Sequence, residues 1–326
     1  MKKTLYILIM FLFFCLVSNV FAAQASIGTT QYDTLSQAIT ASGSTTATIK
    51  IISDINLVEK LTFPKGCNIT LDLNGKKINV PTIENNYGMV VSGNLTIKGE
   101  GIVDLGTYGI GVSATGNLTI EGGTYKCLAG DYLLGSWGTT VIKNGLFDGN
   151  YCIANGFENG TVKILDGTFY SKESTIVLGS VEIYSGAFNQ NVDEYLAEGI
   201  EMKQYNGLYF TGKTYKVTVE EYQNGVVTVV SEAVAEQPVK VTATPNKGYE
   251  LGDIKVTDVD GKIIAVSNSE FVMPNSNAMV LVTFESTTLD NTPQTGSGNI
   301  IIYLYALIIC IAAILFCKYI WQKRRD

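Results

Sequence analysis

Apolar and polar positions alternate along most of this chain in short bursts, each closed by Gly, Asn or Asp. Asn68-Ile69-Thr70-Leu71, Asn94-Leu95-Thr96-Ile97 and Asn117-Leu118-Thr119-Ile120 recur at spacings of 26 and 23 residues. The beat continues through Val141-Ile142, Val162-Lys163-Ile164 and Val181-Glu182-Ile183. A second mark follows it: Gly123-Thr124-Tyr125, Gly145-Leu146-Phe147, Gly167-Thr168-Phe169 and Gly186-Ala187-Phe188, with aromatics 22, 22 and 19 residues apart. A third, Tyr-Gly-x-x-Val-Ser, stands at Tyr87 and Tyr108 and is loosely echoed at Tyr132 and Tyr151. A period-two burst closed by turn residues is a short strand. Units of 20-odd residues leave no room for a helix beside several strands, so the strands must coil, stacking like residues about 4.8 Å apart. The pattern predicts an all-β chain with a parallel β-helix over 26–213, each coil burying inward Val, Ile, Leu or Phe. One coil cannot bury its apolar face alone, which accounts for at least six of them. The repeated Asn residues are expected at coil corners, bonding the backbone of the neighbouring coil.

Other segments break this rhythm. Asp33-Thr34-Leu35-Ser36-Gln37-Ala38-Ile39 starts with a helix-capping residue and puts Leu35, Ala38 and Ile39 on one face, predicting a short N-terminal capping helix. Over 214–285 the alternation is of a different kind: Tyr215-Lys216-Val217-Thr218-Val219, then 226–230, 239–243, 254–257 and 280–284 read as strands of a small second β domain. Pro245-Asn246-Lys247-Gly248-Tyr249-Glu250 reads as a turn, and Phe271-Val272-Met273-Pro274 fixes register. The ends are unlike both. Residues 5–17 are almost unbroken apolar sequence behind Lys2 and Lys3, followed by small residues in Val20-Phe21-Ala22 and Ala23-Gln24-Ala25. This predicts a secretory signal peptide over 1–25. Residues 300–317 are 18 apolar residues, about 27 Å as a helix, enough to cross the hydrocarbon core. The basic tail over 318–326 fixes its inner end.

Three resemblances follow from these residues. The succession of a short helix, Ile49-Lys50-Ile51-Ile52-Ser53-Asp54-Ile55 and Thr70-Leu71-Asp72-Leu73-Asn74-Gly75 resembles right-handed β-helix surface proteins of the pectate-lyase-like class, over about residues 30–205. Residues 214–285 resemble the divergent internalin-type B-repeat, a small β-grasp-like module that serves mostly as a spacer. The linker 286–299 holds Thr292-Pro293-Gln294-Thr295-Gly296, and with the apolar span and basic tail it resembles the cell-wall sorting signal of Gram-positive surface proteins. That resemblance implies a sortase transpeptidase and peptidoglycan as partners, with cleavage between Thr295 and Gly296. The protein would be held in the membrane by its C-terminal helix until then. The departure is Thr292, where the family usually has Leu.

Composition narrows the chemistry. Between residues 26 and 295 there are 17 Lys, no Arg and no His against 29 Asp plus Glu, a net charge of −12. This balance argues against nucleic acid as a partner. Without His, Ser-His-Asp and Cys-His catalysis and His-ligated metals are excluded. Without Arg, bidentate clamps on carboxylate or phosphate are excluded. No cofactor is called for. Cys67, Cys127 and Cys152, odd in number and widely spaced, read as small apolar fillers. Asp258-Val259-Asp260-Gly261 starts like a Ca²⁺ loop but lacks its distal ligands, and reads as a hairpin turn.

No acid falls directly over another when the beats are aligned; Glu121 falls between Lys98 and Lys143. Stacked aromatics on an outer face would form a platform for sugar rings, and Tyr87, Tyr108, Tyr132, Tyr151 and Trp137 are the candidates, against the plainer reading of ladder residues that stack only on themselves. The function expected is a cell-wall-anchored surface protein that binds glycan or a host surface without catalysis. The alternative is an extracellular polysaccharide-active enzyme, favoured if a groove brings three or more acids within reach.

Overall fold

In the computed structural model, residues 22–154, 160–177 and 179–287 are described. The predicted membrane span, sorting motif, basic tail and most of the signal peptide lie outside them. Among the described residues no helix is long and apolar enough to cross a membrane.

The repeats form a β-solenoid of about six turns. One sheet stacks Thr46–Ile51, Asn68–Asp72, Asn94–Lys98, Asn117–Ile120, Thr139–Ile142, Thr161–Ile164 and Ser180–Ile183, all parallel. The register is the one the repeats dictate: Asn68 opposite Asn94 opposite Asn117, and Ile69 opposite Leu95 opposite Leu118. A one-residue slip would turn every inward Ile and Leu to solvent, so burial fixes the pairing. The second sheet stacks Lys76–Asn79, Gly101–Asp104, Thr124–Ser136, Leu146–Ala154, Thr168–Ile176 and Gly186–Phe188.

Between the sheets runs the apolar core. The Gly-x-aromatic mark supplies its spine: Tyr125, Phe147, Phe169 and Phe188 are fully buried and stack one above the next, with centroids 5.1, 4.7 and 4.9 Å apart and planes within 8°. The glycines two residues earlier have left-handed φ (141° at Gly145, 137° at Gly167, 143° at Gly186), a conformation that lets the chain turn into the second sheet and that other residues rarely adopt. Cys67, Cys127 and Cys152 are buried free thiols among these side chains.

Both solenoid ends are covered. Helix α1 (Leu35–Ser42) packs Leu35, Ala38 and Ile39 against the first coil. A capping box starts it: Thr34 Oγ1 accepts from Gln37 N, and Gln37 Oε1 accepts from Thr34 N, both at 3.2 Å. Ala25–Ile27 adds an antiparallel strand to Thr46–Ile51 at this end of the sheet. At the far end the hairpin of Glu201–Tyr205 and Leu208–Gly212 lies antiparallel on Gly186–Phe188 and stops the stacking there.

On the outer surface two expectations meet different outcomes. Glu121 does lie between lysines, with Lys143 Nζ 3.0 Å from Glu121 Oε1. The corner asparagines behave otherwise than expected. Asn117 Nδ2 donates to Asn94 Oδ1 at 2.8 Å, and Asn68 Nδ2 to Thr46 Oγ1 at 2.8 Å, so these exposed amides run as a side-chain ladder rather than bonding backbone. Other asparagines do reach a neighbouring coil's backbone: Asn74 Nδ2 donates to Ile51 O, Asn150 Nδ2 to Gly130 O and Asn189 Nδ2 to Ser171 O.

The second domain starts one residue after the cap, at Thr214–Val219. That strand lies parallel to the last one, Ala278–Ser286, which pairs on its other side with Tyr249–Asp258. Val217, Val239, Val256, Phe271, Met273 and Val280 form its core. The stretch 239–243 is broken at Val241 into two strands, Pro238–Lys240 and Thr242–Pro245, because Val241 N instead bonds Ser269 O. Asp258-Val259-Asp260-Gly261 is a hairpin turn: Asp258 Oδ1 accepts from Asp260 N and Lys262 N.

Candidate functional site

The third repeat mark places its residues together. Tyr108 pairs with Tyr132, and Tyr132 with Tyr151, across three successive coils of the second sheet. All three are half-buried. Their rings follow one another at 6.3 Å (29° between planes) and 5.5 Å (40°). Tyr108 and Tyr132 are stacked and Tyr132 and Tyr151 tilted, an arrangement in which neighbouring rings turn their faces toward one another.

Tyr87 departs from the column. Its ring lies across Gly111 and Gly135, which are paired in adjacent coils. A Cβ added to Gly111 would stand 2.7 Å from Tyr87 Cγ and Cδ2, and one on Gly135 2.0 Å from its hydroxyl oxygen. The Gly111 position meets the Cγ and Cδ2 end of the ring and the Gly135 position its Cζ and hydroxyl end, so the ring lies lengthwise over both glycines with one face on the sheet. Two glycines here are a matter of space: any side chain would lift the ring. Beside Tyr87 stand Tyr108, 6.0 Å away at 61°, and Trp137, 5.7 Å away at 83°. Tyr108 precedes Gly111 by three residues and Trp137 follows Gly135 by two, so the backbone carries the two residues on either side of the glycine pair.

The polar surroundings are acidic. Burial, then the neighbouring Tyr132 and Tyr108 phenols and the Cys127 thiol, push the Tyr87 phenol up to about 12. The neighbouring Asp131 carboxylate raises the ionisation of the Tyr108 phenol too. Cys127, beneath, is pushed up to about 11 by burial and by Asp131 and Asp104. Asp131 itself is exposed, its backbone N held by Thr107 O at 2.9 Å.

Sequence reasoning found the five aromatics but missed three things. It did not separate Tyr87 from the column, it passed over Gly111 and Gly135, and it did not single out Asp131. The glycine of Gly111-Val112 inside the third mark was the available signal.

A separate open groove of about 670 Å³ runs along the glycine turns, lined by Gly99, Gly101, Gly122, Gly123 and the carboxylate-bearing Glu100 and Glu121. It brings two acids together, and Glu121 is tied to Lys143. The three acids within reach that would favour an enzyme are not among its lining residues. Asp166 spends a carboxylate oxygen on the Gly167 N–H at 2.7 Å, as a turn residue. Among the described residues no group of three or more Cys, Asp or Glu is arranged to hold a metal ion. The sorting residues Thr292, Pro293, Gln294, Thr295 and Gly296 lie outside the described residues.

Comparison with known proteins matches residues 215–288 to the divergent InlB B-repeat domain family. That family is typical of extracellular bacterial surface proteins. No curated protein and no solved structure matches the chain.

Proposed function

We propose that this protein is a wall-anchored surface protein of a Gram-positive bacterium whose right-handed, pectate-lyase-like solenoid binds glycan without cleaving it. The observation that carries the reading is the aromatic cluster on the outside of the second sheet, with one ring laid flat over two glycines. An aromatic face kept at the surface is costly unless something covers it, and the C–H face of a sugar is a fitting cover. The B-repeat-like domain then serves as a spacer between solenoid and wall. Anchoring rests on Thr292-Pro293-Gln294-Thr295-Gly296 with the apolar span and basic tail: a sortase would join the Thr295 carbonyl to a peptidoglycan amine, leaving the span behind.

The rival reading, a polysaccharide-active enzyme, has less support. A glycosidase needs two carboxyls with one free to act as acid and the other as base or nucleophile. Of the two acids in the groove, Glu121 is neutralised by Lys143.

Two measurements test the proposal. Digesting the wall with muramidase should release the protein without detergent, carrying peptidoglycan on Thr295; a detergent-dependent protein that keeps its C-terminal tail would defeat the anchoring. The detergent-purified full chain should bind glycans on a printed array without shortening them; an array with no bound glycan would defeat the binding role.

A further inference from the structure

Within the aromatic cluster, we infer that Tyr87, Tyr108 and Trp137 form a three-sided cleft for one uncharged hexopyranose, with Tyr87 as floor and Asp131 as the hydroxyl acceptor at its rim. This rests on the glycan-binding reading and narrows it to a residue set and a sugar class.

The floor is argued from contact. Tyr87 has one face on Gly111 and Gly135, so its other face is turned outward. Tyr132 and Tyr151 share their faces within the column and cannot offer the same surface. The walls are argued from angle. Trp137 stands at 83° and Tyr108 at 61° to the floor, and their centroids can be no more than about 12 Å apart given separations of 5.7 and 6.0 Å from Tyr87. An aromatic floor with a ring standing at a steep angle beside it can take one pyranose lying flat, its C–H bonds on the aromatic face and its hydroxyls outward.

The class of sugar follows from charge. The carboxylates nearest the cluster are Asp131, which acts on Tyr108 and Cys127, and Asp104, which acts on Cys127. Residues 26–295 contain no Arg to clamp a carboxylate, sulfate or phosphate. A uronate or sialate would bring a negative charge beside Asp131, whereas a neutral hexose offers hydroxyl donors that its carboxylate can accept.

The test uses the detergent-purified full chain carrying Trp321→Phe, so that emission reports Trp137 alone. It is probed against an array of neutral hexose glycans and of uronate- or sialate-bearing ones. Neutral glycans should bind and shift the Trp137 emission. Tyr87→Ala should weaken binding at least about tenfold, Tyr87→Phe should retain it, and Tyr151→Ala should leave it within about twofold. Should Tyr87→Ala melt early, the exposed Asp131→Ala decides, with a severalfold loss expected at unchanged melting temperature. Acidic glycans binding in preference would overturn the sugar class and spare the binding role. Neutral binding that survives Tyr87→Ala and Asp131→Ala would overturn the site and spare the role. An array with no bound glycan would overturn both.

Discussion

Phe147 and Phe169 lie face to face in the solenoid core, centroids 4.7 Å apart and planes 7° from parallel, in coils whose glycine turns are superimposed. Each ring fills the space above the next, so removing one uncovers two. Phe169→Ala should cost about 3–5 kcal/mol and lower the melting temperature by roughly 10 °C. A thermal melt followed by circular dichroism reads this, and an unchanged transition would show that the stack carries no stability.

Gly135→Val should act on Tyr87 rather than on the sheet. The new side chain would occupy the space of the Tyr87 hydroxyl, 2.0 Å from the first added carbon, and must push the ring off the surface. The phenol then regains water, and its ionisation should fall from about 12 toward about 10. An ultraviolet titration comparing the variant with the parent measures it; no difference would mean that the ring does not rest on Gly135.

Raised ionisations set the alkaline limit of the fold. Burial lifts Cys152 from 9.0 to about 12 and Cys127 to about 11, and Tyr87 from 10.0 to about 12. The folded chain thus keeps protons that the unfolded chain has lost, so this stability is complete below about pH 9 and is lost as pH rises through 11 to 12. Melting temperature should be flat from neutral pH to about 9 and fall above it. The same burial should keep all three thiols unreactive toward a disulfide reagent at pH 8 until denaturant is added. Rapid labelling of the folded chain would contradict the buried placement.

The ion pair of Lys143 and Glu121 should contribute little. Both side chains are well exposed, at 51% and 38%, and such pairs are usually worth less than about 1 kcal/mol. Glu121→Ala should leave chemical denaturation within about 0.5 kcal/mol of the parent. A larger loss would mark the charge column as structural.

Signal-peptide processing should spare Gln24. Its backbone bonds Tyr32 O and Ile52 N, and its side-chain oxygen accepts from Leu35 N at the start of α1. Of the two candidate cuts, the one after Ala22 preserves these bonds and the one after Ala25 removes them. N-terminal mass spectrometry of the exported protein should read Ala23; a start at Ser26 would show that the first strand forms without Gln24.

How much of this was legible in sequence depends on range. The solenoid was, because in-register stacking repeats the same residue type at the same place, and Phe169 as a core rung follows from Gly167-Thr168-Phe169 alone. The second domain was too, since Val217, Phe271 and Met273 sit where the alternation puts the inner face. What escaped was set by contacts between unlike positions of different coils. Tyr87 shares a repeat position with Tyr108, yet its ring points along the stack onto Gly111 and Gly135, and no periodicity encodes that. The asparagine ladder escaped for a related reason: Asn94 and Asn117 are near enough to bond each other, which outcompetes the backbone.

The second domain receives the chain at Thr214 and returns it at Ser286 through two strands that lie side by side and parallel, joined at Val217 with Ala278, Thr218 with Met279 and Val219 with Val280. Tension between the solenoid and the far end of Ala278–Ser286 draws these strands past each other in opposite directions. The hydrogen bonds between them are then loaded together, in shear, instead of being peeled one by one from an open end. A body pulling on the solenoid would find the domain mechanically stiff along that line, although it is small and its core is modest.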